Sequence, residues 1–224
     1  MEVNKNYLRV DTNILLELIG FMLSRLVQHN DQLPLDRNKL TRFHSRGAPG
    51  ISINDYLSRI HKYTNTDLKP CCLLILLIYI DRISVILPEL TITSLTVHRF
   101  IITAITVSSK ALCDVFCTAS HYSKVGGISL NELNLLEREF LRIIDWNLTC
   151  DNKQLEEYYL NLVNSHPNYT LGGGDGDEDI HTPKDDAITL YACSPTHSKP
   201  QIIPQSRPNH QDITESPQQR RRLS

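Results

Sequence analysis

The sequence predicts an all-α protein, on three observations. Apolar residues recur at three- and four-residue spacing up to about Ser165. Capping residues precede several of these periodic segments: Ser52, Thr66 and Ser129. The most apolar run, Cys71 to Ile80, is undivided by any turn and too long for one buried strand. No strand with a partner is expected.

Residues 12–29 read as an amphipathic first helix with Ile14, Leu15, Leu18, Phe21, Met22 and Leu26 on its apolar side. A polar connector follows, carrying Pro34, Gly47, Pro49 and Gly50. Ser52 caps a helix to about Tyr63, whose inner face is Ile53, Tyr56, Leu57 and Ile60. Thr66 caps the next, with Pro70 tolerated in the first turn, running to about Leu87. That helix is apolar on every side, which predicts a buried, central element. A helix over about 95–113 comes next, and a short one near 120–125 ends at Gly126-Gly127. Ser129 and Glu132 form a capping box for a helix through Ile144, and a last helix covers about 152–164.

Some polar residues fall where a simple core would not place them. In SLTVHRFIITAITVSSKALCD (94–114), Arg99, Thr103, Thr106 and Lys110 share one side of the helix. Val97, Phe100, Ile101, Ala104, Ile105, Ala111 and Leu112 cover the other side. Glu137 lies about 40° from Leu133, inside the apolar stripe Leu133, Leu136, Phe140, Ile144. A carboxylate there needs water or a partner. Asp81 closes the apolar helix and needs pairing, for which Arg59 is the candidate.

Composition narrows the function. The net charge of −2 implies no general attraction to nucleic acid or to an anionic membrane. The run at 71–80 is about half the length of a membrane span. MEVNKNYLRVD lacks a cationic lead into an apolar core, and six cysteines then suggest free thiols, so an intracellular location (nucleus, cytoplasm or both) is expected. Cys113, Cys117 and His121 have ligand-like spacing without a compact fourth ligand, so no metal and no cofactor are expected. GGGDGDED follows no strand and precedes no Lys-Ser pair, and no catalytic motif is present. His98 reads as a hydrogen-bonded histidine at the boundary of the apolar face. The chain is not expected to be an enzyme.

IYIDRI (78–83), TVHRF and SSK within 94–114, HYSKVGGI (121–128) and ELNLLEREFL (132–141), preceded by ISINDYLSRIHKYT (51–64), resemble a cyclin box over about 43–150. More narrowly, they resemble the fungal phosphate-signalling cyclins and the plant U-type cyclins. The resemblance implies a five-helix box, 51–150. Cell-cycle cyclins usually carry a second, but the chain after Ser165 is too polar to supply it, so one box is expected, flanked by an N-terminal helix with its connector (1–50) and a C-terminal helix (151–171). The resemblance also implies a regulatory subunit that binds and activates a cyclin-dependent protein kinase, with that kinase's substrates or inhibitors as further partners. A lysine late in the third box helix and a glutamate in the fifth face the kinase in such proteins; here these are Lys110 and Glu137. Arg99, Lys124 and Asp114 are placed with them. For Asp114 the role would be to hold an arginine of the kinase's activation loop, against the alternative of a local helix-end hydrogen bond.

A rival reading is a non-kinase cyclin fold, as in transcription factors, or a helical scaffold. The former normally carry two boxes and a basic surface. Residues 172–224 are predicted to be disordered: GGG, an acidic cluster and few large apolar residues cannot offset chain entropy. Thr182, Ser194 and Ser216, each before proline, resemble proline-directed phosphorylation sites, or arise by chance in a proline-rich tail.

Overall fold

The structure, a computed structural model, describes residues 1–64 and 69–172. Its helices are α1 (Thr12–Asn30), α2 (Ile53–Thr64), α3 (Pro70–Ile86), α4 (Val97–Leu112), α5 (Ala119–Gly126), α6 (Leu130–Ile143) and α7 (Asn152–Ser165). Each predicted helix is present within a few residues of its expected ends. Ser52 and Ser129 act as caps, their hydroxyls accepting from the Asp55 and Glu132 amides at 3.1 Å. The proposed cap at Thr66 and the predicted tail from 173 onward, with Thr182, Ser194 and Ser216, lie outside the described residues.

α3 is the centre. Cys72 through Ile80 are buried without a break, so this helix is enclosed on all sides, by α4, α1 and α7. α2, α4, α5 and α6 complete the five-helix box around it, and α1 and α7 flank the box. Phe140 on α6 is the aromatic hub. Its ring centroid lies 5.4 Å from Tyr79, 5.7 Å from Phe100 and 6.4 Å from Phe43. Phe43, fully buried, belongs to the connector read as polar, so part of that connector is core. No described helix is long and apolar enough to cross a membrane.

The Gly126-Gly127 pair has a different reason at each position. Gly127 takes the left-handed C-cap conformation, φ 70°, that glycine adopts without steric cost. A Cβ on Gly126 would stand 2.6 Å from Ile102 Cγ1, so its absence lets α5 approach α4 closely.

Four expectations need correction. First, the described residues include one pair of strands: β1 (Glu2–Val3) runs parallel to β2 (Thr170–Leu171), joining the N-terminal segment to the chain after α7. At two residues each, these strands leave the all-α class unchanged. Second, the capping box is half formed, because the Glu132 carboxylate turns to Arg99 instead of its own N-cap. Third, Ala111 is exposed, since α4 ends one residue later and its last turn leaves the core.

The fourth is the Arg59–Asp81 ion pair, which does not form. Arg59 lies on the exposed face of α2, whereas Asp81 faces α7 and accepts a close hydrogen bond from the Tyr158 hydroxyl. Asp81 Oδ1 is buried without a hydrogen-bond partner among the described residues. Burial pushes the Asp81 carboxyl up to about 6, with the Tyr158 bond working against the rise. The folded state therefore favours the neutral form. The stability this confers is complete below the unfolded value of about 4, declines as pH rises towards 6, and is gone above it. Asp81→Asn is expected to flatten the pH 4–6 slope of stability and to raise stability at pH 7 by about 1–3 kcal/mol. Urea unfolding of both proteins across that range measures it, and parallel pH curves would show that the carboxyl does not carry the effect.

Candidate partner-docking site

α4 supplies the first half of the site. Its polar side faces α6, not solvent. Thr103 and Thr106 are fully buried, and their hydroxyls donate to the Arg99 and Ile102 carbonyls of the preceding turn, each at 2.7 Å. At the N-terminal end of this seam, Arg99 donates to the Arg42 carbonyl at 3.2 Å and to the His44 carbonyl, on either side of Phe43. Its guanidinium also pairs with Glu132 of α6. Arg99 is thus occupied internally: it ties the connector and α6 to α4.

At the other end, Lys110 Nζ reaches both carboxylate oxygens of Glu137, at 2.7 and 2.8 Å. The lysine side chain is 32 % exposed and the glutamate 17 %. The carboxylate that interrupts the apolar stripe of α6 is therefore answered within the chain. An ammonium has three N–H donors and a carboxylate about four acceptor positions, so each retains capacity for a further bond. The pair stands at a rim where another surface could bury it.

Beside Glu137 lies an open groove of about 490 Å³, lined by Asn134, Glu137, Arg138, Leu141, Arg142, Asp145 and Trp146. Trp146 forms its far wall and is 69 % exposed. Asp145 and Trp146 have φ of 49° and 58°, the left-handed region that non-glycine residues rarely occupy. Such a conformation costs on the order of 1 kcal/mol per residue and persists only where neighbours enforce it. The enforcers are on α3. Arg82 donates to the Asn147 carbonyl at 2.7 Å and the Thr149 carbonyl at 2.9 Å, and the Tyr79 hydroxyl donates to the Leu148 carbonyl at 2.8 Å. Trp146 escaped sequence reasoning because a tryptophan two residues after Ile144 reads as more core; only its backbone turns it outward.

The remaining candidates are dispersed. Asp114 follows α4, and its side chain is 96 % exposed, touched by Lys69 at 3.4 Å. Lys124 is exposed on α5. Cys113 lies against Cys72, Cys117 donates to the Thr64 carbonyl at 3.3 Å, and His121 bonds the Tyr63 carbonyl. No described group of three potential ligands could hold a metal ion. His98 bonds the Ile51 carbonyl at 3.0 Å and meets the Tyr56 ring edge-on, and burial lowers its pKa, in keeping with a structural role.

A sequence model of the cyclin family matches residues 15–148, spanning the helices that build this site. The chain belongs to the cyclin family. It is 44 % identical over 172 residues to the Nuc-1 negative regulatory protein preg of Neurospora crassa, covering 75 % of this chain and 35 % of that protein. To the PHO85 cyclin PHO80 of Saccharomyces cerevisiae it is 42 % identical over 138 residues, 60 % of this chain and 46 % of that one. To Cyclin-U4-1 of Arabidopsis thaliana it is 34 % identical over 153 residues, 66 % of this chain and 75 % of that one. This cyclin thus spans less than half the length of the two fungal relatives.

The geometry separates residues that hold the cyclin together from residues it displays. Arg99→Ala is expected to lower its unfolding free energy by about 2–3 kcal/mol, since two carbonyls and Glu132 lose their donor. Asp114→Asn and Lys124→Ala should each stay within about 0.5 kcal/mol. Chemical denaturation of the three variants decides it, and an Arg99→Ala protein as stable as the parent would remove Arg99 from the scaffold.

Proposed function

We propose that this cyclin is the regulatory, activating subunit of a cyclin-dependent serine/threonine kinase, acting in phosphate or nutrient signalling or in cell-cycle control. The single observation that carries the reading is the Lys110–Glu137 pair, held at the rim of the Trp146 groove in a cyclin-family chain. The yeast relative is a PHO85 cyclin, which supports a kinase of that kind as partner.

Docking would work through three features. Trp146, with Leu141 beside it, offers a large rigid apolar surface of the type that dominates interface energetics. Lys110 and Glu137 use their spare donors and acceptors on the backbone and side chains of a kinase helix, and docking strips water from the pair. The helix so gripped would be the kinase's C helix, whose glutamate must swing in to pair with the ATP-positioning lysine before catalysis. The cyclin supplies binding energy and the kinase all of the chemistry. Asp114 is exposed one residue beyond the C-cap of α4, and its carboxylate would receive an arginine of the activation loop, doing what a phosphate otherwise does.

Reconstitution with a PHO85-type kinase tests the whole reading. Lys110→Ala, Glu137→Ala and Trp146→Ala should each weaken binding at least about 30-fold, the effect of about 2 kcal/mol at a desolvated contact. Unchanged affinity per folded molecule in all three would remove the docking face. Asp114→Asn should leave the complex intact and lower its phosphorylation rate severalfold; equal rates would discard the activation-loop contact.

A further inference from the structure

Outside the docking face, the chain brings a second group of reactive side chains together. Cys72, at the third position of α3, and Cys113, the C-cap of α4, are 41 residues apart in sequence, yet their sulfurs are 3.4 Å apart. Both are buried, Cys72 completely and Cys113 to 8 % exposure, at the edge of the core. Bringing the sulfurs to a bond length of about 2.05 Å requires a closure of only about 1.4 Å. We infer that Cys72 and Cys113 are a reversible, peroxide-responsive thiol pair, and that oxidation staples the start of α3 to the end of α4.

The two sulfurs divide the work by position. Cys113 is the nearer to solvent, and Lys69 straddles it, its ammonium reaching the Leu112 carbonyl at 3.5 Å and the Asp114 carboxylate at 3.4 Å. A hydroperoxide from solvent meets this sulfur first. The Cys113 sulfur takes the outer oxygen, the O–O bond breaks, and the alcohol or water leaves with the thiol proton, giving a sulfenic acid. Cys72 then attacks the Cys113 sulfur. The S–S bond forms, the S–O bond breaks, and the departing hydroxide leaves as water with the Cys72 proton. Two thiols lose two electrons and two protons, and one peroxide is reduced. Cys72 suits the second role: its hydrogen bond to Cys71 and its burial push its thiol up, so it stays protonated until a neighbouring sulfur becomes electrophilic. A dithiol reductant reverses the bond by exchange.

Cys71 is the competing nucleophile, since its hydrogen bond with the Cys72 thiol, aided by Lys69, holds it at about 7 despite burial. It shares a tryptic peptide with Cys72, as Cys117 does with Cys113, so the test uses full-length Cys71→Ser/Cys117→Ser protein. Treated with hydrogen peroxide and digested under non-reducing conditions, it should yield one peptide joining Cys72 to Cys113, lighter by two hydrogens than the two halves. The oxidised protein should unfold roughly 5–10 °C higher, and dithiothreitol should abolish both the link and the shift. Adding Cys113→Ser should remove both as well. Recovery of the two peptides unlinked, or of Cys113 joined to Cys193 or to a second copy, would overturn the assignment. Neither sulfur lines the Trp146 groove, so the result stands whether or not a kinase binds.

Discussion

The enclosure of α3 is the constraint on which the rest of this cyclin depends. Nine consecutive residues, Cys72 through Ile80, are buried, so no side of the helix can face water and the surrounding helices must close around it. Burying such side chains contributes about 1.5–3 kcal/mol each, so this segment is a major source of folding energy. It also explains why α1 and α7 are integral to the fold: α3 needs their cover, and with them the fold extends beyond the five helices of the box.

An all-apolar helix can offer polar groups only where it emerges, and the fold uses those ends. Asp81 and Arg82 follow directly on the buried stretch. Arg82 turns to the carbonyls after α6, while Asp81 turns to Tyr158 on α7. Arg99 performs the same service for α4, holding the connector through the carbonyls flanking Phe43. In each arginine a planar fork of donors satisfies backbone groups that lie outside any helix. These contacts are the reason irregular segments of this protein have one conformation.

The Trp146 face inherits its rigidity from the same clamps. Glu137 is one helical turn before Phe140, so the aromatic hub anchors the stretch of α6 that carries it, and Lys110 holds its carboxylate. Trp146 stays outside because Arg82 and Tyr79 hold the chain that follows it, against the local preference of its own backbone. A surface made ready in this way would lose little freedom on meeting a partner.

The sequence by itself determined the class of the fold, the order of its helices and the burial of α3, because spacing along a helix translates directly into faces. It also marked Glu137 as a carboxylate in need of an answer. Only the tertiary structure decided what answered it, since a pairing between Lys110 and Glu137 depends on how α4 and α6 cross. For the same reason the polar side of α4, which sequence spacing could suggest was reserved for a partner, became an internal seam with Thr103 and Thr106 turned back on their own helix. Arg59 and Asp81 were matched on charge alone and lie on faces that never meet. Periodicity records which side of a helix is apolar; which neighbour covers that side is a property of the packed whole.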